Sequence, residues 1–145
     1  MIFSETADLV MDGTKTQTRR PLKPFDELIR WKESARHYGK GIYNNQMKRV
    51  RYTVGKTYAV QPARNAKAIG RIRLLDVRVE PLMNISIHDA IAEGILPEGV
   101  DEAQLPTTYL MGFIKTWMRL YPSGTEYSWE NNPKVIVLEF ERVME

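Results

Sequence analysis

Alternation of apolar and polar residues predicts strands in three parts of the chain. Residues 54–62 (VGKTYAVQP), 68–82 (AIGRIRLLDVRVEPL) and 134–143 (KVIVLEFERV) follow the period of two that is typical of strands. In the second segment neither face is uniformly apolar, so we expect a bulge between Arg73 and Asp76. The last segment is expected to be half-buried, with one face exposed.

Helical spacing and capping signals predict three helices. A short first helix is expected to start after Ser4 and to stop at Gly13. The second covers residues 86–94 and begins with a capping box, in which Asp89 lies three residues after the N-cap serine. The third and longest covers residues 107–121, where apolar residues recur at helical spacing. Helices therefore lie both before and between the predicted strands.

Residues 22–52 lack a clear period and are interpreted as a long polar connection, a basic loop insertion with one short helix near residues 25–34. The order of elements does not alternate regularly between strand and helix. This order predicts an α+β fold, with a small, mostly antiparallel sheet closed or nearly closed into a β-barrel and helices covering its ends. A length of 145 residues fits a single domain over 1–145.

Composition excludes several classes of site. The chain has no cysteine and two histidines, which removes disulfides, thiolate metal sites and a cysteine nucleophile. We therefore expect no metal and no other cofactor. No apolar run approaches the ~20 residues of a membrane span, and the first residues carry acids where a signal peptide would carry lysines. These features predict a cytoplasmic protein that does not contact membranes.

Charge is distributed unevenly along the chain, although the formal net charge is only +3. Residues 14–79 contain 17 Lys or Arg and four acids, whereas residues 80–145 contain 11 acids and four bases. A basic half of this size is typical of proteins that bind phosphates, and favours a nucleic-acid partner. The alternative interpretation is that the two halves face each other and pair.

Candidate binding chemistry is concentrated in residues 12–24 (DGTKTQTRRPLKP), which combine cations with threonine and glutamine. From this segment and the central strand we select these candidate nucleic-acid-binding residues: Lys15, Thr16, Arg19, Arg20, Lys23 and Arg71. A second candidate is Glu93, whose carboxylate at the C-terminal end of a helix is opposed by the helix dipole. Its alternative role is a surface ion pair.

Three separated motifs carry a resemblance to a known family. The motifs are G-x-K-T-x-T-R-R from residue 13, D-A-x-x-E-G from residue 89, and W-x-x-N-P before the last strand. Together they resemble the ASCH domain family, and more closely its bacterial and phage branch. The resemblance covers most of the chain outside residues 22–52 and 95–108. It implies a PUA-like β-barrel.

The resemblance implies two kinds of function. ASCH domains are thought to bind RNA, while one small subfamily consists of amidohydrolases that deacetylate N4-acetylcytidine, and a ribonuclease activity is attributed to some members. The amidohydrolases use a lysine, a threonine and a glutamate. Their motifs place these at Lys15, Thr18 and Glu93, which are the candidate catalytic residues here.

Residue chemistry leaves the choice between binding and hydrolysis open. A threonine hydroxyl can attack an amide if a neutral amine such as that of Lys15 takes its proton, and Glu93 can orient the amine or protonate the leaving group. In a regular strand, however, Lys15 and Thr18 would point to opposite faces. The basic 22–52 segment suits a polynucleotide better than a free nucleoside. A protein-interaction role for the acidic residues 93–106 is a third alternative.

Overall fold

The computed structural model of the protein describes residues 1–144. Within these residues the helices are α1 (Ala7–Asp12), α2 (Ile87–Glu93) and α3 (Thr107–Leu120). The strands are β1 (Gln17–Pro21), β2 (Asp26–Lys32), β3 (Tyr38–Asn44), β4 (Arg49–Thr53), β5 (Thr57–Val60), β6 (Gly70–Pro81) and β7 (Lys134–Arg142). Helices and antiparallel sheets occur together, so the α+β prediction is confirmed.

Four strands form a curled half-barrel, in the order β1-β7-β6-β5 and with every pair antiparallel. The sheet is therefore open along the edges of β1 and β5. In the β6–β7 pair the register shifts between Leu74 and Asp76, which confirms the predicted bulge. The bulge explains why neither face of β6 reads as uniformly apolar along its whole length.

Strand β7 is the centre of the core, because both of its faces are covered. Val135 and Val137 pack with residues of α2 and α3, whereas Ile136 and Leu138 pack with β6 and the second sheet. All four side chains are buried. The prediction of a half-buried strand is therefore wrong for residues 135–138, since alternation cannot reveal a layer that covers the second face.

Residues 22–52 are not a loop: they contain the second sheet, with the order β2-β3-β4. The helix predicted near residues 25–34 is strand β2. Gly39 lies opposite Trp31 in this sheet, and a Cβ atom at Gly39 would lie 2.0 Å from Cε2 of Trp31. Gly39 thus makes room for an indole lying on the strand.

The helices match their sequence signals closely. In α2, Ser86 and Asp89 form the predicted capping box, and Gly94 ends the helix in the left-handed region. Helix α1 has Thr6 rather than Ser4 as its N-cap residue. Over residues 1–144, none of the helices is long and apolar enough to cross a membrane.

Candidate functional site

A cavity of about 580 Å³ lies between the N-terminal segment, β1, the end of α2 and α3. Six of the candidate residues line it, namely Lys15, Thr18, Arg19, Arg20, Lys23 and Glu93. Its aromatic lining consists of Phe3, Tyr52, Phe113, Trp117, Tyr121 and Tyr127. Basic, acidic and aromatic side chains that are far apart in the sequence are thus brought to one concave site.

The bend that brings Lys15 to the cavity is made before β1 begins. Gly13 ends α1 with a left-handed φ of 85°, and the N–H of Lys15 then donates to the carbonyl of Leu9 at 2.9 Å. The next N–H, that of Thr16, donates to the carbonyl of Ala92 at 2.8 Å. Because Lys15 precedes the strand, the alternation rule does not separate it from Thr18, and both side chains line the cavity.

Lys15 and Glu93 form a buried ion pair. Nζ of Lys15 lies 2.5 Å from Oε2 of Glu93 and 3.4 Å from its main-chain carbonyl. The two residues are 3% and 1% exposed. Among residues 1–144, nothing hydrogen-bonds to the other carboxylate oxygen, Oε1. Burial raises the pKa of Glu93 despite the opposing charges of Lys15 and Arg19. A proton can therefore be held on this carboxylate more readily than on an exposed one.

Asp89 lies one helical turn before Glu93 and makes a second set of contacts between α2 and β1. Residues four apart lie on the same helical face, so both acids of α2 meet the strand. Oδ1 of Asp89 accepts from Nε2 of Gln17 at 3.1 Å, and Oδ2 accepts from Nη2 of Arg19 at 3.0 Å. Nη2 of Arg78 donates to Oδ1 at 2.9 Å. These contacts fix β1 against α2.

The charge state of Asp89 follows from these contacts. Desolvation raises its pKa, but hydrogen bonds from Ser86 and Gln17 and the charge of Arg19 outweigh it, and the net pKa lies well below its usual range. Asp89 is thus a fixed negative charge. Arg19, which it pairs with, is buried, and its Nε and Nη1 have no hydrogen-bond partner within the described chain.

Replacing Asp89 by asparagine is expected to lower the free energy of unfolding at pH 7 by about 2–3 kcal/mol, because Arg19 and Arg78 each lose a charged acceptor and buried Arg19 keeps only a longer contact with Glu80, at 3.5 Å. Since the folded pKa of Asp89 is depressed, its contribution is present above the ordinary value of 3.8 and is lost as the pH falls below it. The free energy of unfolding, measured with urea between pH 2.5 and 7, should therefore fall less steeply towards acid pH for Asp89→Asn than for the parent protein. An equally steep fall in both proteins would contradict this assignment.

The aromatic wall of the cavity is contributed by α3 and the segment that follows it. Ring centroids of Trp117 and Tyr121 are 4.5 Å apart, and Tyr127 meets Tyr121 edge-on at 6.1 Å. Nε1 of Trp117 donates to the carbonyl of Tyr127 at 2.8 Å. Burial raises the pKa of Tyr121, with the charge of Arg20 opposing. Neutral, fixed aromatic rings therefore face the cations of β1.

Two candidate binding residues lie elsewhere. Thr16 is exposed and is not part of the cavity lining. Arg71 is exposed on β6, where its Nη2 donates to Oγ1 of Thr57 at 3.0 Å. Strand alternation from Thr18 places Thr16 on the same face, but the chain at Thr16 has not yet entered β1. The structure does not bring these two side chains to the cavity.

Sequence reasoning missed the aromatic wall and the contacts of Asp89. Trp117 belongs to the apolar stripe of the third helix and packs in the core as that stripe predicts, yet it also lines the cavity. Asp89 was interpreted only as a cap. Its spacing of four residues from Glu93 was the available signal, since it puts both carboxylates on one face of a helix.

Comparison with known proteins supports the fold and goes no further. No protein-family model and no curated protein matches the chain. Among solved structures, a DUF984 protein from Enterococcus faecalis V583 is 15% identical over 97% of this chain and 71% of that one, with a TM-score of 0.56. An ASCH domain from Lactobacillus crispatus JV V101 is 17% identical over 94% and 69%, with a TM-score of 0.51. The chain has an ASCH-like fold.

Proposed function

We propose that the cavity binds a nucleotide, either free or as part of an RNA strand. The observation that carries this proposal is the combination of an aromatic wall, formed by Trp117, Tyr121 and Tyr127, with the cations Arg20 and Lys23 in one cavity. A volume of about 580 Å³ lies within the range of small-ligand sites. Bases stack on aromatic side chains, and phosphates pair with arginine and lysine.

The distribution of charge supports an anionic ligand. The cavity lies at β1, within the basic half of the chain, and the cations of this half create a field that attracts polyanions. Binding that depends on phosphate contacts weakens with salt, with a log–log slope of about −0.7 per contact on a single strand. Affinity for RNA that is absent, or that does not change with salt, would contradict the proposal.

Replacing Tyr121 by alanine tests the stacking surface. Loss of one stacking side chain costs about 1–3 kcal/mol per base, so we expect the affinity for a single-stranded RNA trinucleotide to fall by about tenfold. Tyr38→Ala is the matched control, since Tyr38 is exposed on β3 and does not line the cavity. Fluorescence titration measures both. Equal losses in the two variants would show that the ligand binds outside the cavity.

A second candidate function, amide hydrolysis, is favoured by one specific observation: Lys15, Thr18 and Glu93 line the same cavity. In this candidate the proton that Lys15 and Glu93 share lies on Glu93, so the Lys15 amine can take the hydroxyl proton as the Thr18 oxygen attacks the acetyl carbonyl of N4-acetylcytidine. Glu93, whose pKa is raised by burial, gives a proton to the leaving N4 as the C–N bond breaks. Water then hydrolyses the threonine ester, releasing acetate and restoring the hydroxyl.

The two candidates are separated by turnover. Purified protein is incubated with N4-acetylcytidine and, separately, with a short RNA, and acetate, cytidine and RNA fragments are measured. Acetate and cytidine in equal amounts support the amidohydrolase, and RNA fragments support a ribonuclease. Binding without any of these products supports recognition alone.

A further inference from the structure

We infer that the second sheet, β2-β3-β4, gives the cavity a phosphate-binding rim, so that the ligand is a nucleotide rather than a free nucleoside. The inference rests on the proposed function and names the part of the ligand that this sheet recognises. Lys23, which precedes β2, and Arg51 of β4 line the cavity together with Arg20 of β1. Three cations, from β1, β4 and the connection before β2, therefore border the same space.

A buried carboxylate holds the rim in place. The Asp26 side chain is 0% exposed, and its Oδ2 accepts from Nη1 of Arg51 at 2.5 Å and from the main-chain N–H of Lys23 at 2.8 Å. Its other oxygen accepts from Nδ2 of Asn44 at 2.8 Å. Asp26 thus holds the guanidinium of Arg51 and the main chain of Lys23, in the connection before β2, next to each other. An arginine that is positioned in this way loses little entropy when a ligand binds.

Two of the three rim cations form no ion pair. Within residues 1–144, neither the guanidinium of Arg20 nor Nζ of Lys23 has a carboxylate oxygen within 4.0 Å. Arg20 instead donates to the carbonyl of Ile2 at 2.6 Å and lies over the Phe3 ring at 5.3 Å. Arg51 shares its charge with Asp26, but its guanidinium has further N–H donors. The rim therefore carries net positive charge.

Another part of the cavity lining carries no net charge. The buried residues Lys15 and Glu93 neutralise each other as a pair, so this pair does not favour an anion. The aromatic residue Trp117 lies on α3, and Tyr121 directly follows that helix. A ligand with a flat, uncharged part and an anionic part matches this division: the base lies along the aromatic wall and the phosphate meets Arg20, Lys23 and Arg51.

The affinities of the four common ribonucleosides and of their 5′- and 3′-monophosphates, measured by calorimetry, test this inference. We expect at least one monophosphate to bind about tenfold more tightly than its nucleoside, because hydrogen bonds to charged groups are worth about that factor. Equal, measurable affinities would overturn the inference, and of the proposed function they would leave only the stacking of the base on the aromatic wall. No binding by either class would contradict both.

Lys23→Gln identifies the residue responsible. Its side chain is exposed and its main-chain N–H still binds Asp26, so folding should be unaffected. We expect the advantage of the monophosphate to fall to threefold or less, with unchanged nucleoside affinity. Lys67→Gln removes the same charge from an exposed loop position outside the cavity, and should keep the full advantage. Equal losses in both variants would mean that the effect is long-range attraction rather than contact, which overturns the inference.

Arg51→Lys gives an independent measurement at the other side of the rim. It keeps the charge beside Asp26 but removes the planar fork that can bind a phosphate with two hydrogen bonds. We expect the affinity for the monophosphate to fall threefold to tenfold, with no change in the affinity for the nucleoside. The unfolding of the variant is measured in parallel. Titration with a dinucleotide then distinguishes an internal phosphate from a terminal one. An unchanged monophosphate affinity in both Lys23→Gln and Arg51→Lys would overturn the inference.

Discussion

Replacement of Lys15 by methionine is expected to lower the free energy of unfolding at pH 7 by about 3–5 kcal/mol. The reason is that Glu93, which is 1% exposed, is left in the interior without its counter-charge. Methionine has a similar length and fills the same space, so a cavity contributes little to the loss. Urea unfolding followed by tryptophan fluorescence measures the difference.

The double variant Lys15→Met/Glu93→Leu separates the ion pair from general packing. Replacing both members of a buried pair with apolar residues is often neutral or stabilising, so we expect the double variant to regain most of the lost free energy. If it remains as unstable as the single variant, the loss comes from altered packing and not from an uncompensated carboxylate. A single variant as stable as the parent would show that the pair is not buried in solution.

The pH dependence of the single variant follows from the raised pKa of Glu93. A carboxyl whose folded pKa lies above its ordinary value of 4.5 binds its proton more tightly in the folded state. The contribution of Glu93 to the stability of the protein is therefore greatest below that value and is lost as the pH rises through the folded pKa. Without Lys15, one of the charges that oppose this rise is gone. Lys15→Met should therefore be close to the parent in stability at pH 4 and should diverge from it as the pH increases.

Features encoded by neighbouring residues were predictable from the sequence. The α2 capping box depends on Ser86 and Asp89, three residues apart, and the bulge in β6 follows from a break in alternation within one strand. Both are local, and both are confirmed. The motif resemblance added the ASCH-like fold, which the solved structures support at identities too low for pairwise comparison to reveal function.

Features that depend on distant residues were not predictable in the same way. Strand β3 is recognisable only once Trp31 is known to lie over Gly39, and the burial of both faces of β7 requires the second sheet. The contact between Lys15 and Glu93 spans 78 residues. Periodicity within a window reports the environment of one element, whereas these contacts depend on how elements meet.

The difference between local and long-range features also explains which residues of the candidate site could be predicted. Glu93 was selected because a carboxylate at a helix C-terminus is locally unfavourable, and it is paired with Lys15, but in the interior rather than at the surface. Arg51 and the aromatic wall carry no such local anomaly. Arg51 is one of many cations in the basic half, and Trp117 fits an apolar helical stripe. Only the fold shows that they border one cavity with Lys15.

Replacement of Thr18 by valine is expected to abolish acetate release from N4-acetylcytidine, by about 10³-fold or more if the hydroxyl is the nucleophile. Valine matches threonine in shape, and Thr18 is buried in β1 opposite Leu138. The variant should therefore fold as the parent does. Its affinity for the nucleotide should change by less than threefold, since the aromatic wall and the cationic rim are untouched.

Thr18→Ser is the matched control, because it keeps a hydroxyl at the same position and should retain measurable turnover. A covalent acetyl group on Thr18, detected by mass spectrometry after rapid quenching, would identify the ester directly. Acetate release by Thr18→Val at the parent rate would remove Thr18 from the chemistry and leave a water molecule as the nucleophile. If the parent protein itself releases no acetate, the amidohydrolase candidate is wrong; if it releases no RNA fragments either, the buried Lys15–Glu93 pair is a structural support for a cavity that binds its ligand without changing it.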